Sequence, residues 1–152
     1  MKLSLGFSPC PNDTFIFDAL VNKKFKTLDL EFDVVLEDVQ TLNEWAMKDK
    51  LDVTKISYGV LPLVLEHYQL LNSGGALGRG VGPIVISKTK LAVDEIDDKL
   101  IALPGEHTTA HILFSLAFPN AKNKVFKVFN QIEDAILNGE VDCGVIIHEN
   151  RF

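Results

Sequence analysis

The stretch that decides the fold is LIALPGEHTTAHILFSLAFPNAKNKVFKVFNQIEDAILNGEVDCGVII, residues 100–147. It opens on an apolar run, Leu100–Leu103, that Pro104 and Gly105 punctuate. Thr108–Phe118 follows with apolar residues at helical spacing, behind threonines able to cap a helix. Lys124–Val128 reads as a second strand, and Ile132–Leu137 as a helix that Asn138 and Gly139 stop. Val141–Ile147 is an apolar strand of the buried kind. Strands that alternate with helices need crossover connections, so the expected fold is α/β with parallel sheets.

The same alternation runs upstream. Lys2–Phe7 reads as a strand followed by a Pro- and Asn-rich turn. Asp13 or Thr14 is then the expected cap of a helix reaching Val21, with Phe15, Ile16, Ala19 and Leu20 on its buried side. Further strands are expected at Leu28–Leu36, Leu51–Ile56, Tyr68–Asn72 and Ile84–Ser87, and helices at Val39–Lys48 and Tyr58–His67. The pattern starts afresh near Ile84, which predicts two α/β lobes, residues 1–85 and 86–152. No internal repeat or low-complexity tract interrupts it.

Composition narrows the function. The 152 residues are 47% hydrophobic and 24% charged, enough apolar material for a core and too much for wholesale disorder. A net charge of -6 argues against a nucleic-acid surface, and the cluster Lys23, Lys24 and Lys26 reads as a solvated turn between Asp18 and Asp29. No segment reaches the ~20 apolar residues of a membrane helix. Met1 leads straight into a strand pattern without a basic, signal-like start, so a cytoplasmic setting is expected, with Cys10 and Cys143 as free thiols.

Open α/β sheets bind ligands outside the carboxyl ends of their strands. Four unusual segments fall there. Ser8-Pro9-Cys10-Pro11-Asn12-Asp13-Thr14 leads into a helix start, which suits a carboxylate or serves as a rigid capped turn; Ser8, Asn12 and Thr14 are its candidate ligand groups. Lys55, Ile56 and Ser57 end the third strand and offer a cation and a hydroxyl, or a surface lysine beside a helix cap. The glycine-rich run Gly74–Pro83 lacks the order of a P-loop or of a dinucleotide fingerprint. Its glycines fit positive backbone φ angles, and its Arg79 could clamp a carboxylate. Pro104-Gly105-Glu106-His107-Thr108-Thr109-Ala110, with two threonines at a helix start after a glycine turn, is a further candidate anion nest. His107 and His111 have the spacing of a metal pair but no evident third ligand, so neither metal nor cofactor is expected. His148, just beyond the last apolar strand, can titrate near neutral pH as a general base must, although a lone histidine is more often structural.

Together the motifs SPCPNDTFIFDAL (8–20), TKISYGV (54–60), SGGALGRGVGPIV (73–85), LPGEHTTAHILFSL (103–116) and GVIIHENRF (144–152) resemble the 1,4-dihydroxy-6-naphthoate synthase family of the futalosine route to menaquinone. The resemblance implies a two-lobed fold like the periplasmic binding proteins of the second type. It implies a cytoplasmic lyase that converts cyclic dehypoxanthinyl futalosine to 1,4-dihydroxy-6-naphthoate and dihydroxyacetone, without metal or nucleotide. Carried over by motif, the proton acceptor falls on His148, and the substrate-binding positions fall on Lys55, Ile56, Ser57, Thr109 and Ala110. In such a fold the chain returns to complete its first lobe, so a further segment or partner chain is expected to complete it here. Two other readings share the fold: a non-catalytic module for small carboxylates, and the sister chorismate dehydratase.

Overall fold

The computed structural model describes residues 1–147, and they form an α/β chain of two compact units, Met1–Leu77 and the remainder from Gly78. In the first unit, β1 (Lys2–Phe7) lies between β2 (Glu31–Leu36) and β3 (Val53–Thr54), all parallel. Pairing runs in register from Lys2 with Glu31 to Phe7 with Leu36, while β3 adds Val53 and Thr54 opposite Leu5 and Gly6. Helices α1 (Pro11–Val21) and α2 (Val39–Ala46) connect these strands, and the short α3 (Leu61–Val64) follows β3. At Gly6 a Cβ atom would lie 2.5 Å from Leu51 Cδ1 and 2.8 Å from Leu42 Cδ2, so α2 packs there against bare backbone.

Several local expectations change. Helix α1 begins at Pro11 behind Cys10, because proline's fixed φ suits a first helical turn, and neither Asp13 nor Thr14 caps it. Its inward side carries Asp13 and Phe17, whose ring stacks on Phe7 at 4.6 Å, whereas Phe15 is 85% exposed. Tyr68–Asn72 forms no strand, since no ladder reaches it among the described residues. Helix α2 is capped by Asp38, whose carboxylate accepts from the Thr41 amide at 3.1 Å.

The second unit holds β4 (Ile84–Ser87), β5 (Ile101–Leu103), β6 (Lys124–Phe126) and β7 (Cys143–Ile146) in the order β4-β7-β5-β6. Strand β5 is parallel to both neighbours, but β4 runs antiparallel to β7, with Ile84 opposite Ile146. The sheet is therefore mixed rather than parallel throughout. Strand β4 is reached by no helical crossover within its own sheet, and only a 3-10 segment, Val93–Asp98, joins it to β5. Because β4 pairs with β7, Ile84 and Val85 sit in the second sheet, and the units part between Leu77 and Gly78 rather than after residue 85.

Strand alternation divides this unit's core between two sheet faces. Ile101, Leu103, Cys143 and Val145 pack with Ala110 and Phe114 of α4 (Thr109–Ala117) on one face. Ala102 and Ile146 pack with Ile132, Ala135 and Ile136 of α5 (Ile132–Leu137) on the other. Helix α5 ends before Gly139, whose φ of 74° favours glycine.

Candidate functional site

In the first unit the loops after β1 and β3 meet through Asp13. This carboxylate is only 6% exposed and both of its oxygens are occupied. Lys55 Nζ donates to Oδ1 at 2.6 Å, while the Ser8 amide and hydroxyl donate to Oδ2 at 3.2 and 2.8 Å. The Cys10 amide in turn donates to Ser8 Oγ at 3.4 Å. Strand pairing sets up the junction: the Lys55 amide donates to the Gly6 carbonyl at 2.7 Å, extending the β1–β3 ladder by one bond. The two chains thus leave the sheet side by side, and the lysine can reach back to the start of α1.

Ser57 is held by a second cross-link. The Asn43 side-chain amide donates to Ser57 Oγ at 3.0 Å, and the Ser57 backbone N–H donates to Asn43 Oδ1 at 2.9 Å. Asn43 is fully buried on α2, where a polar side chain requires such partners. Ile56, between them, is half-buried.

Beside these loops lies an apolar groove of about 800 Å³. Leu3, Leu5, Leu30 and Phe32 line it, together with Val53 and Thr54 of β3 and the segment Tyr68–Leu71. Lys55, Ile56 and Ser57 belong to its lining as well. The Tyr68 hydroxyl donates to the Leu51 carbonyl at 2.6 Å, and burial raises its pKa above the ordinary phenol value.

In the second unit Thr108 caps α4. Its hydroxyl donates to the Gly105 carbonyl at 2.8 Å and accepts from the His111 amide at 3.3 Å. Thr109 and Ala110 therefore occupy the first turn, where backbone N–H groups and the helix dipole favour an anion. Parallel pairing of β5 and β7 brings Leu103 and Ile146 to the same end of the sheet. His148 itself lies outside the described residues.

The sequence-derived candidates thus separate by role. Ser8 and Lys55 share the Asp13 junction in the first unit, Ser57 is tied separately to Asn43, and Thr109 and Ala110 share a helix start in the second. Thr14 is exposed, and its hydroxyl donates to the carbonyls of Cys10 and Pro11 at 3.1 and 3.2 Å. Asn12 is exposed on the first turn of α1. Arg79 is exposed in the glycine-rich run, where Gly74 and Gly80 take positive φ angles of 82° and 66°. His111 is engaged elsewhere: its Nδ1 sits 2.7 Å from the Glu106 carbonyl and its Nε2 3.3 Å from Lys124 Nζ. Nε2 accepts the lysine's proton only in the tautomer that carries hydrogen on Nδ1. Among the described residues no group of three metal-ligating side chains forms around it.

Sequence reasoning missed Asp13 and Asn43 as members of the site. The available signals were an acid one turn into a helix behind a serine, and an asparagine between the core positions Leu42 and Ala46.

Comparison with known proteins gives the family of the chain. A family model described as menaquinone biosynthesis matches residues 3–152. Two curated proteins named 1,4-dihydroxy-6-naphthoate synthase are similar over 99% of the chain, one from Thermus thermophilus at 47% identity and one from Streptomyces coelicolor at 41%. The chain spans 54% of the length of each. A crystal structure of a protein from Archaeoglobus fulgidus superposes over 99% of this chain and 55% of its own, with a TM-score of 0.92 and 36% identity. The periplasmic aliphatic sulphonate binding protein of Escherichia coli covers 96% of this chain and 54% of its own, at a TM-score of 0.59 and 10% identity, which shows a shared fold.

Proposed function

Because the chain belongs to the menaquinone biosynthesis family, we propose that it carries substrate-binding strand ends of a 1,4-dihydroxy-6-naphthoate synthase. The reaction we assign is the lyase step from cyclic dehypoxanthinyl futalosine to 1,4-dihydroxy-6-naphthoate and dihydroxyacetone. The observation that carries it is the junction at the ends of β1 and β3, where Lys55 and Ser57 are held by buried polar partners, Asp13 and Asn43. The names of the two curated relatives support the choice of reaction.

Each group has a task in this chemistry. In the first unit, the N–H and O–H donors of Lys55 and Ser57 suit oxygens of the substrate. His148, assigned by motif resemblance, takes the hydroxyl proton of a β-hydroxy carbonyl arrangement. That O–H electron pair becomes the carbonyl of dihydroxyacetone as the C–C bond breaks. The bond's own electrons pass into the ring carbonyl, which gains a proton as the ring aromatises. A positioned base contributes ~10²–10⁴-fold to such a step.

The test uses a protein of the relatives' full length. His148→Asn is expected to lower kcat by at least ~10²-fold with substrate affinity kept. Near-normal turnover in a well-folded variant removes His148 from the mechanism.

The same reading includes an occupant for the groove. We propose that an apolar, extended segment from the remaining half of the relatives' length seats there. Support comes from the edge of β3 opposite β1, which carries no strand among the described residues, and from the apolar lining beside it. Mixing the chain with that remaining half as a separate polypeptide should give a co-eluting complex with a raised Tm; separate elution rejects the assignment. A cytoplasmic setting belongs to this reading too, supported by the buried thiol of Cys143, and fractionation to an exported compartment would end it.

A further inference from the structure

Lys55 does not stand in its site as a bare cation. Its ammonium is 2.6 Å from Asp13 Oδ1, and its side chain is 20% exposed against 9% for Asp13. An ammonium paired this closely in a partly buried place is matched by a neighbouring negative charge, so an arriving anion meets the Asp13 carboxylate's field along with the lysine's. Asp13 is in turn fixed by two donors from Ser8 and by its place in the first turn of α1, so it is not readily displaced. The ammonium has three N–H bonds; one is spent on Asp13, and the others remain donors without net charge behind them.

Ser57 has a matching polarity. Its Oγ accepts from the Asn43 amide at 3.0 Å, which directs its own proton away from Asn43. The remaining N–H bonds of Lys55, which lines the groove as Ser57 does, therefore offer donors at a locally neutral centre. Such a cradle fits the lone pairs of an uncharged oxygen.

We propose that Asp13 determines specificity in the first unit by holding Lys55 as a charge-neutral donor that takes a neutral carbonyl or hydroxyl oxygen and turns an anion away. The inference rests on reading this junction as a ligand site, and it reverses the simpler expectation that Lys55 binds a carboxylate. Asp13 acts through Lys55 and is a positioning residue.

The test follows the backbone amides of Lys55 and Ser57 by NMR while either sodium sulfate, at constant ionic strength, or dihydroxyacetone is added. In the unaltered chain, dihydroxyacetone should give a saturable shift that Lys55→Met abolishes, and sulfate should give none. In Asp13→Asn, sulfate should gain affinity by about tenfold, the step expected when a neutralised donor becomes a charged one. Melting curves control for folding. If Asp13→Asn does not fold, the unaltered chain and Lys55→Met decide the matter by themselves. A saturable sulfate shift in the unaltered chain that Lys55→Met removes would overturn the proposal. So would no dihydroxyacetone shift at any soluble concentration, or a folded Asp13→Asn indifferent to sulfate. None of these readouts involves turnover, so a failed lyase assay and a failed charge selectivity are separate results.

Discussion

The two units spend nearly equal lengths of chain in different ways. The first buries Leu5, Phe7, Leu42, Ala46, Val60 and Val64, while the second buries more than twice as many apolar residues, spread over both faces of its sheet. The first unit instead ties its loops with polar cross-links: Asp13 to Lys55 and Ser8, Asn43 to Ser57, and Ser4 to Asp52. Ser4 donates to the Asp52 carboxylate from both its amide and its hydroxyl, which holds that carboxyl below its usual pKa. Apolar packing is non-directional, whereas hydrogen bonds fix distances and angles. The unit with the weaker core is thus the one in which individual ligand groups are most closely positioned.

Two cysteines, one in each unit, can break this comparison. Cys10 is half-buried before α1, whereas Cys143 is fully buried in β7, and desolvation there pushes its thiol pKa up to about 11. Only thiolate reacts with an alkylating reagent, so Cys143 must wait for the second unit to open. At pH 8 Cys10 should be modified at least ~10³-fold faster, read by mass spectrometry of the two peptides. Equal rates would show that the second unit's core protects no better than the first unit's. The sign with pH also follows: a thiol whose folded pKa is raised gives stability that is present below the unfolded thiol's value. That stability is lost as pH rises toward 11, so a melt of the second unit should weaken over that window.

How much of this was legible beforehand depends on the same contrast. Strands β5 and β7 announce themselves, because a strand buried on both faces is a continuous apolar run such as Ile101–Leu103 or Val145–Ile146. Strand β3 does not: only Val53 and Thr54 pair, although the apolar pattern spans 51–56. Tyr68–Asn72 likewise reads as a strand, but its first four residues line a groove, because a strand needs a partner that periodicity cannot supply. At the site, Lys55 and Ser57 were visible as polar residues at a strand end. Asp13 was visible only as a helix-start acid, since its pairing with Lys55 spans 42 residues of sequence.

Matched glycines in the two sheets sharpen the comparison at intermediate size. A Cβ on Gly144 would lie 2.4 Å from Ile132 Cγ2 and 3.1 Å from Ile136 Cδ1. Ile132 is fully buried, and a methyl on a β-branched carbon cannot swing aside without moving the whole side chain. Gly144→Ala should cost about 2–3 kcal/mol by overpacking. At Gly6 the nearest atom is the tip of Leu51, a half-buried side chain on the groove, so Gly6→Ala should cost about 1 kcal/mol less even though Leu42 is also close. Urea melts of both variants measure the difference, and a larger loss at Gly6 would reverse the assignment of rigidity.

The smallest effect concerns surface leucines that look alike. Leu71, on the first unit's groove, is 59% exposed, and Leu116, on α4 of the second unit, is 74% exposed. In this chain each has little contact to lose, so Leu71→Gln and Leu116→Gln should both change stability by less than about 0.5 kcal/mol. The two should part company when the groove's proposed occupant is supplied. A seated apolar segment removes Leu71 from water, and the burial of a leucine is worth about 1.5–3 kcal/mol, so Leu71→Gln should then weaken the complex by about tenfold or more. Leu116→Gln should leave that complex as it was. Titrating the remaining half of the relatives' length into each variant measures both effects by one method. If Leu71→Gln binds it as tightly as the unaltered chain does, the groove is not where that segment sits.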